Sequence, residues 1–519
     1  MSLAGENRHV HVDMQTAHCP LCSRARVHSA ALLGTVAAST STTADAAGDP
    51  DLTPRRKTTA TRTSRRLSAK EVNETLNLNL GLPIDPDDGR IRKLCRFLSN
   101  FFSIFEDNLF AVIGRLPLSF KQRINKLGWL IYFPLHKLLL GRKTAIHPDA
   151  SYEYHALTTL MHWGRLFPMT IDRMRFSLSQ LSVWHPPEAY PHCLRTHGST
   201  VGSSRRRRVL GSSNAVVKKI AYDMKDTCRL ATGITDTEAE GSTVVTGFYV
   251  QHDPTKPSEK VLFWLYGGAY LSGDSLGNLP LAEKTAQRCH DMDVFLPNYR
   301  LLPENSFFDA FYDVVQAYEY LVTVRGVNPE NITCLGISSG GGLIVRLLQT
   351  LAERRKELGI TEKATSDIPK SKERLELENL LTNPNGGVLM SPFVDYTVES
   401  CTKPGSFTEY IKHDLIVNQS VIEEGLQYFD NLGDAKVRRQ ESPVHRSFDG
   451  LPPLCLVFSE HEAVYDQDKL LANNARAAGV KVTCGCWKYM CHVWPMLSMF
   501  IPEAREALDF MVDWVNDNN

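Results

Sequence analysis

The chain has 519 residues and balances 58 Lys and Arg against 58 Asp and Glu, so its bulk charge carries no footprint of a nucleic-acid partner. That length suffices for one large domain with added material, or for two domains. Its 12 cysteines are scattered and no N-terminal run resembles a secretory signal. The expectation is therefore reduced thiols inside the cell, in the cytoplasm or peripherally on a membrane.

Residues 1–69 are rich in Ser, Thr, Ala and Arg without a sustained apolar period, the composition of a disordered tail. Cys19 and Cys22 form a CxxC pair near His9, His11 and His18. A zinc site at finger spacing needs a second pair that the sequence lacks, so no metal is expected. Residues 70–240 read as a helical N-terminal region. Within it Leu94, Phe97, Leu98, Phe101, Phe102, Ile104, Phe105 and Leu109 recur at helical spacing, and 127–140 holds Trp129, Ile131, Tyr132 and Phe133. A bilayer-spanning helix needs about 20 apolar residues, whereas Glu106 and Asp107 interrupt the first stretch and Pro134, His136 and Lys137 the second. Two readings are left for 94–140: helices packed on the main domain, or an element in peripheral contact with a membrane. Arg205 to Arg208, among Gly and Ser, read as a solvated loop.

From Gly241 the pattern alternates. Strands are expected over 244–250, 261–265, 294–297 and 332–335, with helices over 281–288 and 307–325. A charged segment, 353–383, reads as a surface insertion before further strands at 387–391, 454–459 and 480–489. Such alternation predicts the α/β class, with a mostly parallel central sheet flanked by helices over 241–519. A helical cap is expected from the material before Gly241 and from 406–429.

Asn331 to Leu348 runs from an apolar strand through Gly336-Ile337-Ser338-Ser339-Gly340 into a helix. Small residues on both sides of a serine let the backbone turn sharply and leave the hydroxyl exposed above the helix N-terminus, as in a nucleophile elbow. A second Gly-x-Ser-x-Gly surrounds Ser275, but no expected strand ends on Gly273, so Ser338 is the candidate nucleophile. A serine hydroxyl needs a histidine to take its proton, and that histidine needs a carboxylate to hold it. The chain order Ser, acid, His fits Ser338, Glu462 and His492. The acid follows one expected strand and the histidine another, and α/β sheets gather functional groups at such strand ends.

Four markers in order resemble the α/β-hydrolases of the hormone-sensitive-lipase group, which includes microbial esterases, arylacetamide deacetylase and steryl acetyl hydrolases. They are Tyr266-Gly267-Gly268-Ala269-Tyr270, then Asn298-Tyr299-Arg300-Leu301-Leu302-Pro303-Glu304, the Ser338 elbow, and Glu460 to Asp466 followed by Cys491-His492-Val493. The resemblance covers about 241–519. It implies a serine carboxylesterase or lipase-like hydrolase that forms an acyl-enzyme on a small apolar ester, with no cofactor and an oxyanion hole at the amides of Gly268, Ala269 and Ser339. Laying Glu462 to Asp466 on the group's Asp-Pro-Leu-x-Asp pattern puts the catalytic carboxylate at Glu462 and leaves Asp466 to cap the helix near Gln467. His461 is the alternative base. Two positions depart from the group: Tyr266 stands where it has histidine, and Ser339 where it often has alanine. Tyr266 is expected to brace the oxyanion loop by packing or through its hydroxyl. The cap segments, rich in Phe, Trp, Leu and Met, imply a greasy entrance. The contrasting function is a non-catalytic ligand receptor or scaffold on the same fold.

Overall fold

The computed structural model describes residues 112–113, 116, 118–139, 150–164, 170–179, 216–224 and 244–518, the last stretch without 254, 257, 291, 361–370, 412–413, 418–434 and 499. The readings made for 1–69, Cys19 and Cys22, 94–109 and 205–208 lie outside these residues, as do parts of 353–383 and 406–429.

The described chain opens with three helices, α1 (Leu118–Leu139), α2 (Tyr152–Gly164) and α3 (Ile171–Ser179), then β1 (Val216–Asp223), β2 (Val244–Gln251) and β3 (Val261–Leu265). It continues through α4 (Ser275–Arg288), β4 (Asp293–Asn298), α5 (Phe307–Glu319), β5 (Ile332–Ile337), α6 (Ser339–Glu357), α7 (Lys372–Leu380) and β6 (Gly386–Met390). After β6 come α8 (Val398–Thr402), α9 (Ser406–Tyr410), α10 (Ala435–Glu441), β7 (Leu454–Ser459), α11 (Tyr465–Ala477), β8 (Val482–Trp487) and α12 (Pro502–Asn518). The strands form one sheet in the order β1-β2-β4-β3-β5-β6-β7-β8. From β4 to β8 every pairing is parallel, whereas β1 with β2 and β2 with β4 are antiparallel. Strands β3, β5, β6 and β7 are buried along their whole length, because helices cover both faces of a parallel sheet. Phe263, Cys334 and Leu456 face one apolar core, and Leu262, Leu335 and Val457 the other.

Residues 216–223 overturn part of the helical reading of 70–240: they form a strand. Val217 and Ile220 point to opposite faces and pack against the two cores, while Lys218 and Lys219 stay exposed. A half-exposed edge strand carries no long apolar run, and its lysines discourage further pairing at the sheet edge. The sheet therefore begins before Gly241. The expected 307–325 helix ends as a π turn over Tyr320–Val324. The start of the 353–383 segment continues α6, whose buried residues reach Leu351 before its charged end.

Candidate active site

Strand β5 delivers Ser338 to the elbow. Its φ of 51° lies in the left-handed region that side chains rarely adopt, and such a residue costs about 1–3 kcal/mol that the surrounding structure must over-determine. Hydrogen bonds on both sides hold it: Ser338 N–H donates to Met390 O at 2.8 Å, and Ser338 O accepts from Phe393 N–H at 3.0 Å. Helix α6 passes so close to β3 that a Cβ on Gly340 would run into the Tyr266 and Leu265 carbonyls. This close approach is why the elbow needs a glycine there.

His492 follows β8 and Glu462 follows β7, and the structure brings both to Ser338. Ser338 Oγ lies 2.8 Å from His492 Nε2, and His492 Nδ1 lies 2.8 Å from Glu462 Oε2. The Glu462 side chain is fully buried. Its other oxygen, Oε1, accepts from Ser459 N–H at 2.8 Å and Ser391 O–H at 3.1 Å. Burial raises the Glu462 pKa, while the hydrogen bond and charge of His492 pull it back down. Its neighbour Asp468 is also fully buried, and burial, followed by the charge of Glu462, holds it well above the usual carboxylate range.

The Tyr266–Tyr270 loop lies against the elbow: a Cβ on Gly267 would sit 2.9 Å from Ser338 Cβ. Gly268, Ala269 and Tyr270 all have positive φ, at 139°, 54° and 62°. The loop closes on itself through Gly268 O, which accepts from Leu271 N–H and Ser272 N–H at 3.0 Å each. The amides of Gly268, Ala269 and Ser339 take no part in the backbone hydrogen bonds of these turns. Such free donors beside a nucleophile can receive the charge of a tetrahedral oxyanion.

The remaining sequence candidates sit elsewhere. Ser275 is buried at the start of α4, capped by Asp274, and its hydroxyl donates to Asn298 Oδ1 at 2.7 Å. The His461 ring lies between Tyr489 and Tyr410, with centroids 4.6 and 5.2 Å away, and burial lowers its pKa. Asp466 does not cap its own helix, whose N-cap is Val464. Its carboxylate instead accepts from Ser406 N–H at 2.7 Å, and Ser406 Oγ accepts from Asp466 N–H at 3.0 Å. It thus ties α9, in the expected cap segment, to the first turn of α11, which follows Glu462.

Tyr266 is braced both ways. Its ring stacks on Tyr299 at 4.3 Å, its hydroxyl donates to Tyr299 O and accepts from Tyr299 N–H at 3.2 Å each, and Tyr299 O–H donates to Tyr266 O at 2.7 Å. Tyr266→Phe would strand the buried Tyr299 N–H and is expected to cost about 1–3 kcal/mol of stability. Tyr266→Ala, which adds a cavity, is expected to cost about 3–5 kcal/mol. Chemical denaturation of the three proteins measures both, and a Phe variant as stable as the parent would limit the brace to packing.

Asp414 escaped sequence reasoning. It is buried, and its two oxygens accept from His492 N–H (3.1 Å), Ala463 N–H (3.3 Å), Ile416 N–H (3.0 Å) and Val417 N–H (3.2 Å). One carboxylate therefore joins the loops of the acid and the base. Its local bonds to Ile416 and Val417 are those of an ordinary turn, and the partners that give it this role lie 49 and 78 positions away. Ser391 acts similarly, donating to Glu462 and accepting from Val493 N–H at 3.2 Å. Its signal was present in its place at the end of an expected strand. Asp414→Ala is expected to lower kcat about a hundredfold, the scale of an ångström-sized misplacement, with little change in KM. Asp414→Asn, which keeps an acceptor, should fall in between. Equal kcat in all three would make Asp414 a matter of stability alone.

A cleft of about 580 Å³ lies where α3 meets the domain, beside Gly273 and Asp274. Arg175, Glu304 and Asn305 line it together with Phe176 and Leu301, so at this place the expected greasy entrance is mixed in character. Arg175 binds Glu304 with two nitrogens, at 2.7 and 2.8 Å.

Residues 262–496 match a protein family described as alpha/beta hydrolase fold. This part of the chain has the α/β-hydrolase fold. An esterase of Acinetobacter venetianus is 28% identical over 256 residues, 48% of this chain and 72% of that protein. An acetyl-hydrolase of Streptomyces hygroscopicus is 27% identical over 49% of this chain and 75% of its own length. Arylacetamide deacetylase of Oryctolagus cuniculus is 33% identical over 125 residues, 31% of its length. Among solved structures, EstE5-PMSF superposes with a TM-score of 0.50 at 22% identity, covering 71% of this chain and 99% of that one. At that identity the likeness concerns the fold. The fold sets Ser338, Glu462 and His492 after the carboxyl ends of β5, β7 and β8.

Proposed function

We propose that this α/β-hydrolase is a serine carboxylesterase that cleaves small carboxylic esters through an acyl-enzyme. The observation that carries the reading is the closed relay from Ser338 Oγ through His492 to Glu462, 2.8 Å at each step. In it Ser338 attacks the ester carbonyl carbon as His492 Nε2 takes its proton, and Glu462 stabilises the imidazolium from the Nδ1 side. The carbonyl oxygen becomes an oxyanion facing the amides of Gly268, Ala269 and Ser339. Nε2 then protonates the leaving alkoxide oxygen as the C–O bond breaks. Water, losing its proton to Nε2, attacks the acyl carbon, the acid departs, and Ser338 regains the proton. The relatives named esterase and acetyl-hydrolase support hydrolysis over the receptor alternative.

Purified protein with p-nitrophenyl acetate and longer acyl homologues tests the reading. Turnover of at least one ester is expected, and a fluorophosphonate probe should label Ser338 and spare Ser275. No turnover and no labelling would return the chain to the receptor reading. The thiols of Cys289, Cys334, Cys401 and Cys455 are free and buried, which supports an intracellular site of action, in the cytoplasm or at a membrane touched through 94–140.

A further inference from the structure

Helix α1 has two apolar faces, of which the described residues cover one. At about 100° per residue, Trp129, Tyr132, Phe133 and His136 point to one side. There Trp129 meets Phe500 with ring centroids 4.8 Å apart, Tyr132 O–H donates to Ala156 O at 2.7 Å, and His136 Nδ1 lies 2.7 Å from the Tyr152 hydroxyl. The opposite side carries Phe120, Ile124, Leu127, Ile131, Leu135 and Leu138, which fall within an arc of about 80°. All six are exposed, Leu127 to 58% and Leu138 to 81%. An exposed apolar row of this length marks an interaction surface. No described helix is long and apolar enough to cross a membrane.

Charge selects the partner. The chain as a whole is neutral, yet residues 108–148 contain no Asp or Glu and seven basic residues, Arg115, Lys121, Arg123, Lys126, Lys137, Arg142 and Lys143. Arg123 and Lys126 are exposed on α1 and, with Lys137, lie along one flank of the apolar row. A protein partner for such a surface would need matching carboxylates. A bilayer with anionic headgroups supplies negative charge at the level where lysine and arginine side chains snorkel, directly above the acyl chains that take the apolar row.

We propose that α1 is an interfacial helix that docks the protein on anionic lipid surfaces, its apolar row in the headgroup boundary and its basic flank among the phosphates. Behind it α2 reaches the site, since Tyr154 packs in the same apolar core as Cys491, the neighbour of His492. Docking thus holds the esterase site close to the membrane.

The test uses the full chain with vesicles of phosphatidylcholine alone or mixed with phosphatidylserine. It needs no ester, so it stands or falls apart from the hydrolase reading. The parent should sediment with the mixed vesicles and at least tenfold less with phosphatidylcholine alone. Leu127→Glu with Ile131→Glu should abolish sedimentation, and Arg123→Glu with Lys126→Glu should remove the preference for phosphatidylserine. Both variants should melt like the parent and keep its rate on a soluble ester. Leu138→Glu, at an exposed helix end, serves as a second probe should the first pair fold poorly. Undiminished lipid binding by the apolar-row variants overturns the proposal and moves any contact to 94–109. A dimer of the parent that those variants split, without lipid binding, also overturns it and makes a second copy the occupant.

Discussion

Ser338→Ala is expected to lower ester turnover about a million-fold, the usual cost of removing an activated nucleophile, with the melting temperature nearly unchanged. The hydroxyl adds little stability, because its hydrogen bond to His492 Nε2 is only partly buried. The backbone supplies a second, independent signature. Alanine at a φ of 51° carries the same strain as serine, whereas glycine does not. Ser338→Gly should therefore be equally inactive yet more stable than Ser338→Ala, by up to about 1 kcal/mol. Turnover within a hundredfold of the parent in either variant would remove Ser338 from the chemistry.

How much could be read ahead depended on how local the signal was. The bounds of β3 and β7 coincide with the expected 261–265 and 454–459, because each is a continuous apolar run ended by glycine, proline or a polar turn. β1 was missed because its pairing partner, β2, lies beyond a separate segment and its own face is half solvated. The order of serine, acid and histidine was legible because each follows a strand, and the structure brings the three within hydrogen-bond distance. Asp414 and the capping of α9 by Asp466 were not legible. Both join segments far apart in the chain, and a carboxylate that accepts backbone N–H groups leaves no periodic trace.

Glu462→Gln is expected to lower turnover about ten-thousand-fold, by fixing the wrong tautomer of His492. Ser459 N–H and Ser391 O–H both donate to the Oε1 position, so the glutamine carbonyl must take that place and its NH₂ group must face His492 Nδ1. The proton then resides on Nε2, which can no longer accept from Ser338. Stability should move the other way. Burial raises the folded Glu462 pKa, so the folded state binds more protons than the unfolded one and loses stability as pH rises from the unfolded value through the folded one. Glutamine lacks that loss. The variant should gain melting temperature relative to the parent between acidic and neutral pH. Asp466→Asn keeps an acceptor for Ser406 N–H and should be active with a small loss of stability, Asp466→Ala should lose about 1 kcal/mol, and Glu460→Gln should change neither property. Turnover and melting across pH for these variants separate the roles. An inactive, normally stable Asp466→Asn beside an active Glu462→Gln would move the acid to Asp466.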